Sequence, residues 1–382
     1  MVLHRVRSPF PFRWIRLLMC GIWFKSYSGG AHEIAECMAK YILSRSPNAI
    51  TFSSRVTSIA LNTNGSNPRM DVVTNNTDHH QFSHVISTIP LPVLRTIDLS
   101  QADLSVMQSN ALRELNYGPS VKIGLQFKTA WWTTGTDLAG QPLNIVGGQS
   151  YTDTPLRTIV YPSFGNVQAG TTTTLIACYC WTEDATRMGA LIEKDETTLL
   201  NLVLRELAGI HNLSIEFLRG QLIGSKGWSW SHDPYTMGEH SIPFQYGRHL
   251  IACRSPLPPI RQGAFAFFGP GKFESLYTSL NNPAAKGHLH FAGEAISVRH
   301  AWVVGALDSA WRAVHEMLLF PAFQSYQEKF FKNWGLNPEW IKASAAPRAP
   351  GDVLNPKDNL VLEHLALTHP HLFLNVADTL IC

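Results

Sequence analysis

Charge is scarce in these 382 residues: Asp, Glu, Lys and Arg together make up 15%, and the net charge is only +3. So small an imbalance gives no reason to expect a nucleic acid or an acidic membrane surface as a partner. No apolar run is long enough to cross a bilayer. The six cysteines, Cys20, Cys37, Cys178, Cys180, Cys253 and Cys382, form no CxxC pair and share no regular spacing. That pattern implies neither a disulfide framework nor a zinc site, and it leaves buried free thiols as the reading. Histidine is plentiful, at 16, but mostly single. His79-His80 lies in a polar stretch and reads as a solvated turn rather than a metal pair. No metal is expected.

Apolar residues, at 45%, are abundant enough for a large core, and the length allows two or three domains. Residues 14–24 follow several basic residues and faintly resemble a signal peptide, but Arg16 interrupts the run and no small-residue cleavage site follows cleanly. An intracellular location is the expectation. Sequons at Asn64, Asn75 and Asn212 stand on the other side, although such triplets often arise by chance.

Along the chain, residues 1–27 lack periodicity. Ile34, Met38, Tyr41 and Ile42 then follow helical spacing, which Pro47 ends. Strands are predicted at 50–52, 56–61, 70–73 and 84–89, the last stopped by Pro90 and Pro92. Further strands are predicted at 120–127 and 173–181, a helical pattern at 193–207, a strand at 288–292 and a helix over 302–318. This alternation predicts an α/β (α+β) fold. Residues 319–382, with a proline-containing linker at 345–352, show no assignable chemistry.

The strongest local signal is Leu289-His290-Phe291-Ala292-Gly293-Glu294, followed by His300-Ala301-Trp302 at the opening of a helix. A strand ending in Gly lets backbone approach a ligand closely, and a helix start offers unpaired N–H groups with partial positive charge. On these residues alone, an ordinary strand–loop–helix unit is the plainer reading. A second block runs from Tyr117-Gly118-Pro119 through Lys122 to Phe127, then Trp131-Trp132. A third holds Gly147-Gly148-Gln149-Ser150, Thr152-Asp153, Pro155, Arg157 and Tyr161-Pro162, with Ala177–Ala185 downstream. A fourth is Trp228-Ser229-Trp230-Ser231-His232-Asp233-Pro234-Tyr235-Thr236-Met237-Gly238.

Together these blocks resemble the flavin-containing (FAD-dependent) amine oxidase superfamily, of the L-amino-acid oxidase type, over about residues 28–318. The resemblance implies FAD as cofactor. Gly293, Glu294, Trp302 and Val303 would hold the flavin, with Val56 beside the adenine and Trp230 against the ring. Residues 87–92 resemble the strand end near the pyrophosphate. Lys122 matches the family lysine that holds a water at the reactive ring nitrogen, a role that suits a buried lysine of lowered pKa; a snorkelling surface lysine is the alternative. Tyr179 would bind the substrate carboxylate; the alternative is a core tyrosine. Ala301 and Ala310 stand where the family usually has glycine. Ala301 would narrow the substrate space beside Trp302.

Two features depart from the family. No GxGxxG, its seat for the pyrophosphate, occurs in the chain. Residues 239–262 separate Gly238 from Gly263-Ala264-Phe265, and with 1–27 they read as translated non-coding sequence. A genuine surface loop and N-terminal extension are the alternative. The expected organisation is an atypical extension (1–27), a partial FAD-binding Rossmann-like domain (28–97 and 286–318), a substrate-binding domain of mixed sheet and helices (98–285), and a C-terminal extension (319–382). The implied activity is oxidative deamination of L-amino acids to 2-oxo acids, ammonia and hydrogen peroxide. The partners would be a small L-amino acid or amine and oxygen, and a homodimer is allowed. The alternatives are a monoamine or polyamine oxidase, or an inactive fragment that binds no flavin.

Overall fold

The computed structural model describes residues 32–163, 172–233, 235–236, 263–269, 272–297 and 299–337. The readings made for 1–27, 239–262 and 345–352, and for Cys20, Cys253 and Cys382, lie outside the described residues. The chain falls into two compact units. Unit 1 is Met1–Ser54, Lys122–Tyr179 and Asp195–Gly227; unit 2 is Arg55–Val121, Cys180–Lys194 and Trp228–Cys382.

The helix His32–Arg45 forms where its spacing predicts, and none of its residues is buried. Residues 50–52, predicted as a strand, are irregular instead. An apolar run makes a strand only when a neighbouring edge accepts its hydrogen bonds.

Strands β1 (Val56–Asn62), β2 (Arg69–Thr74) and β3 (Asp78–Phe82) make an antiparallel sheet in that order. Alternation places Met70 and Val72 of β2 in the core, with Ile59 of β1 opposite Val72. Asn75 and Asn76 turn the chain at φ 54° and 64°, a region that asparagine enters more readily than most residues. His79 and His80 sit in the exposed edge strand β3, not in a turn. Next comes β4 (Val85–Ser87), shorter than the predicted 84–89, then a single helical turn, Leu91–Leu94, begun by Pro90. The helix Val106–Glu114 opens on a reciprocal cap: Ser105 accepts from the Gln108 N–H and the Gln108 side chain accepts from the Ser105 N–H. Strand β5 (Asn116–Gly118) follows.

Unit 1 is built on a five-stranded sheet. Its strands are β6 (Ser120–Phe127), β7 (Gln149–Tyr151), β8 (Thr158–Val160), β9 (Thr174–Trp181) and β10 (Leu222–Ser229), ordered β10-β6-β9-β8-β7. The apolar–polar alternation of β6 buries Ile123, Leu125 and Phe127 while Lys122 and Gln126 face out. Phe127, Trp131 and Trp132 meet edge to face, with centroids 5.3–6.1 Å apart. Such buried aromatic clusters carry much of a core's stability. The helical pattern read at 193–207 breaks at Asp195, whose side chain caps the helix Glu196–His211 of unit 1, while the helix before it, Thr182–Lys194, belongs to unit 2. Cys178 and Cys180 are buried and Cys37 is exposed, and none of the three is in a disulfide.

In unit 2, β11 (Phe265–Phe267) pairs antiparallel with β5, and β12 (Leu289–Phe291) pairs parallel with β4. These pairings put 98–121 and 263–285 in one compact unit with 55–97 and 286–318. One apolar core joins Ile59, Met70, Leu94, Leu112, Leu276, Leu289, Phe291 and Ile296. The long helix Val303–Leu318 has Trp302 as its N-cap. Beyond it, the short helix Gln327–Trp334 packs Phe330 and Phe331 against Trp311, so residues 319–337 of the C-terminal extension dock on unit 2. The architecture is α/β, with helices and sheets mixed in both units.

Candidate active site

Strand β12 and the helix Val303–Leu318 are joined by side chains three and four residues apart on one helix face, the spacing that aligns them. Ser309, fully buried, accepts from the Gly293 N–H at 2.8 Å and also lies 2.8 Å from the Gly293 carbonyl. Arg312 donates to the carbonyls of Phe291 (2.5 Å) and Asn281 (2.8 Å) and pairs with Glu316 at 2.5 Å. Glu316 also accepts from His290 Nδ1 at 2.9 Å. The Arg312 guanidinium and the His290 contact hold the Glu316 carboxyl low against the opposing effect of burial. The strand end is thereby clamped to the helix.

Gly293 takes φ 145°, ψ 171°, open essentially to glycine alone, and no atom lies within 4 Å of the place a Cβ would occupy. Backbone there can meet a ligand directly. Glu294 turns its carboxylate inward: one oxygen accepts from the Ala266 N–H and the other from the Ala301 N–H, each at 2.9 Å. Burial pushes its pKa up, and the two N–H groups oppose that shift. Ala301 stands at φ 63°, where a glycine would sit without strain, and the Glu294 bond holds it there. His300 donates through Nδ1 to the Glu294 carbonyl at 3.1 Å, and burial lowers its pKa. Gly305 has no room for a side chain, since a Cβ would strike the Arg299 carbonyl.

The start of the long helix carries exposed apolar groups: Trp302 is 69% exposed, Val303 62%, Val304 45% and Leu307 50%. Exposed apolar surface of this density marks a place that something else covers. Arg299, His300, Trp302 and Val304 line an open depression there. No side chain caps the helix start.

The structure groups the sequence-predicted residues in two sets. Gly293, Glu294, Ala301, Trp302 and Val303 form the strand–turn–helix unit just described, in unit 2. Val56 begins β1 of the same unit, half-buried, and Trp230 lies there with its ring 5.9 Å from that of Trp228. Lys122 and Tyr179 belong to unit 1, where the lysine Nζ lies 4.9 Å from the centroid of the tyrosine ring. Lys122 is exposed, which departs from the buried lysine that the resemblance implies: its position on β6 faces away from the core. Arg299, which lines the depression, and Asp308 and Asn337, hydrogen-bonded to it in turn, are not singled out in the sequence. A basic residue directly before His300-Ala301-Trp302 is the signal that could have found the first.

For the ring end of a flavin the residues present fit: open backbone at Gly293, uncapped helix N–H groups, and an exposed indole. The pyrophosphate seat has no counterpart motif in the sequence. Among the described residues no cluster of His, Cys, Asp or Glu could hold a metal ion, and no helix is long and apolar enough to cross a membrane.

The sequence pattern of flavin containing amine oxidoreductases matches residues 10–318. The chain is 47% identical over 345 residues to L-amino-acid oxidase 4 of Hebeloma cylindrosporum, covering 89% of this chain and 50% of that protein. An L-amino-acid oxidase of Siganus canaliculatus is 30% identical over 213 residues, 56% of this chain and 33% of that one. The chain thus spans half or less of the length of these relatives. Among solved structures, a putrescine oxidase superposes with a TM-score of 0.55 at 15% identity, over 76% of this chain and 53% of its own, a likeness of fold. With most of its length inside the family pattern, and with that fold, the chain belongs to the flavin containing amine oxidoreductase family.

Proposed function

We propose that this protein takes part in the FAD-dependent oxidation of L-amino acids to 2-oxo acids, ammonia and hydrogen peroxide. The observation that carries the reading is the 47% identity to an L-amino-acid oxidase, maintained over 89% of the chain. The strand–turn–helix unit 289–318, with its open Gly293 and exposed Trp302, supports it. Within this proposal 28–97 and 286–318 serve the cofactor and 98–285 the substrate. A homodimer, checked by light scattering, belongs to the same proposal.

Each residue's task follows from its chemistry. The Tyr179 hydroxyl donates to the substrate carboxylate. Lys122, a compact cation with three donors, holds a water. Glu294 fixes the turn that presents Gly293 and Trp302, so backbone N–H groups face the cofactor. Trp230 and Trp302 supply apolar walls that exclude water from the α-carbon. A flavin held at Gly293, Glu294, Trp302 and Val303 would supply the two-electron chemistry, hydride acceptance from the α-carbon and reoxidation by oxygen. The imino acid so formed hydrolyses to the 2-oxo acid and ammonia.

The test is the visible absorption spectrum of the purified chain. The proposal expects flavin bands that bleach when an L-amino acid is added without oxygen; bleaching by amines alone would point to an amine oxidase. A second reading, a chain that holds no flavin, is favoured by the absence of a GxGxxG motif from its 382 residues. A protein that stays colourless with added FAD would establish it.

A further inference from the structure

The segment that follows the long helix is tied back to it at three points and to its C-cap residue, Leu319, at a fourth. Gln324 and Gln327 donate to the carbonyls of Leu319 (3.2 Å) and Leu318 (2.7 Å), groups that a helix end leaves without intrahelical donors. Trp311 donates through Nε1 to the Gly335 carbonyl at 3.3 Å and packs on Phe330 and Phe331. Finally Asn337, 5% exposed, donates through Nδ2 to Asp308 Oδ1 at 2.8 Å. Residue 335 meets residue 311 and residue 337 meets residue 308. The segment therefore runs back along the helix toward the end that carries Trp302.

Asp308 is the junction. It is a nearly buried carboxylate whose other oxygen, Oδ2, takes Arg299 Nη1 at 2.5 Å. Such a group holds its place only while both oxygens are matched, since an uncompensated buried charge is costly. Arg299 in turn lines the depression with His300, Trp302 and Val304, and its N–H donates to Ser297 Oγ at 3.1 Å. From the opposite side Glu294 holds the Ala301 N–H. The turn 299–302 is thus gripped twice, by Glu294 from the strand side and by Asp308 from the helix side. The second grip depends on a residue from beyond the helix.

We propose that Asn337, Asp308 and Arg299 are positioning residues, a polar chain through which the segment 319–337 fixes the wall of the depression that carries Trp302. The proposal rests on the functional reading only in taking that depression for the ring end of the flavin site; the mechanical link is independent of it. One consequence is that the C-terminal segment, which shows no chemistry of its own, acts on the site through the backbone of 299–302.

The test is amide hydrogen exchange in the full chain, without added cofactor, read by mass spectrometry. Asn337→Leu keeps the volume and removes the donor. Arg299→Gln removes the cation at the more exposed end of the chain, and exchange in β1–β3 reports any general loss of stability. Both are expected to speed exchange at 299–302 at least tenfold while leaving β1–β3 unchanged. Unaltered exchange at 299–302 in Arg299→Gln would overturn the proposal. So would acceleration by the same factor in β1–β3, which would mean general destabilisation. An FAD titration run alongside separates the two ideas: no flavin signal would sink the functional reading and leave the exchange result standing.

Discussion

The Nζ of Lys122 lies 4.9 Å from the centre of the Tyr179 ring, from one strand to the next in the five-stranded sheet of unit 1. A cation over an aromatic face is attracted by the ring quadrupole and leaves the phenol hydroxyl at the rim to bind elsewhere. On the proposed function, the pair can persist while the hydroxyl meets a substrate carboxylate. Tyr179→Phe keeps the ring and removes the donor. It should raise KM for L-amino acids about tenfold, the cost of one hydrogen bond to a charged group. Steady-state peroxide production as a function of amino-acid concentration measures it, and an unchanged KM would remove Tyr179 from substrate binding.

A second prediction concerns acid. His84 lies 4.6 Å from His288 and 5.9 Å from His290, with the rings of Phe320 and Phe323 edge-on. Neither of its nitrogens has a hydrogen-bond partner among the described residues. Burial, then the two neighbouring histidines, lowers its pKa from 6.5 to about 4. The fold therefore favours the neutral ring. The stability this contributes is complete above pH 6.5 and is lost progressively as pH falls from 6.5 toward 4. Urea midpoints at pH 7, 5.5 and 4.5 should fall more steeply for the natural chain than for His84→Phe, and parallel curves would refute the assignment.

Arg312 is 1% exposed and serves two carbonyls and Glu316. Replacing it with Met leaves the Glu316 charge buried without its cation. The loss should be about 3–5 kcal/mol, the usual consequence of removing one partner of a buried ion pair. Chemical denaturation provides the number. A loss below 1 kcal/mol would mean that His290 alone compensates the carboxylate.

Ala301 stands at φ 63°. Relief of about 1–2 kcal/mol of left-handed strain is offset by about 0.5–1 kcal/mol of extra glycine entropy in the unfolded chain. Ala301→Gly should therefore stabilise the protein slightly, by about 0.5 kcal/mol. A small rise in Tm would agree; a fall would show that the methyl group packs usefully beside Trp302.

Trp131, 1% exposed, closes the core cluster of unit 1 with Phe127, Trp132 and His211. Trp131→Ala should cost about 3–5 kcal/mol through lost burial and the cavity left behind. Denaturant unfolding monitored by far-UV circular dichroism checks it.

The elements whose chemistry is local were legible in the sequence. Val121, Ile123, Leu125 and Phe127 alternate strictly, so β6 forms where it reads. The Gly293–Trp302 motif places a strand end before a helix start, and the structure has both. Strand β3 was not legible because all five of its residues are exposed: with neither face buried there is no alternation, and backbone bonds to β2 alone make it a strand. Residues 50–52 fail for the converse reason, apolar character without a pairing edge. Sequence by itself determined the family and the residues of the strand–turn–helix unit, because glycine conformation, helix capping and motif spacing act over a few residues. Tertiary structure alone decided that Lys122 faces outward, that His84 meets His288 across some 200 positions, and that Asn337 reaches Asp308. Such contacts depend on which surfaces fold against each other, and no local pattern encodes that.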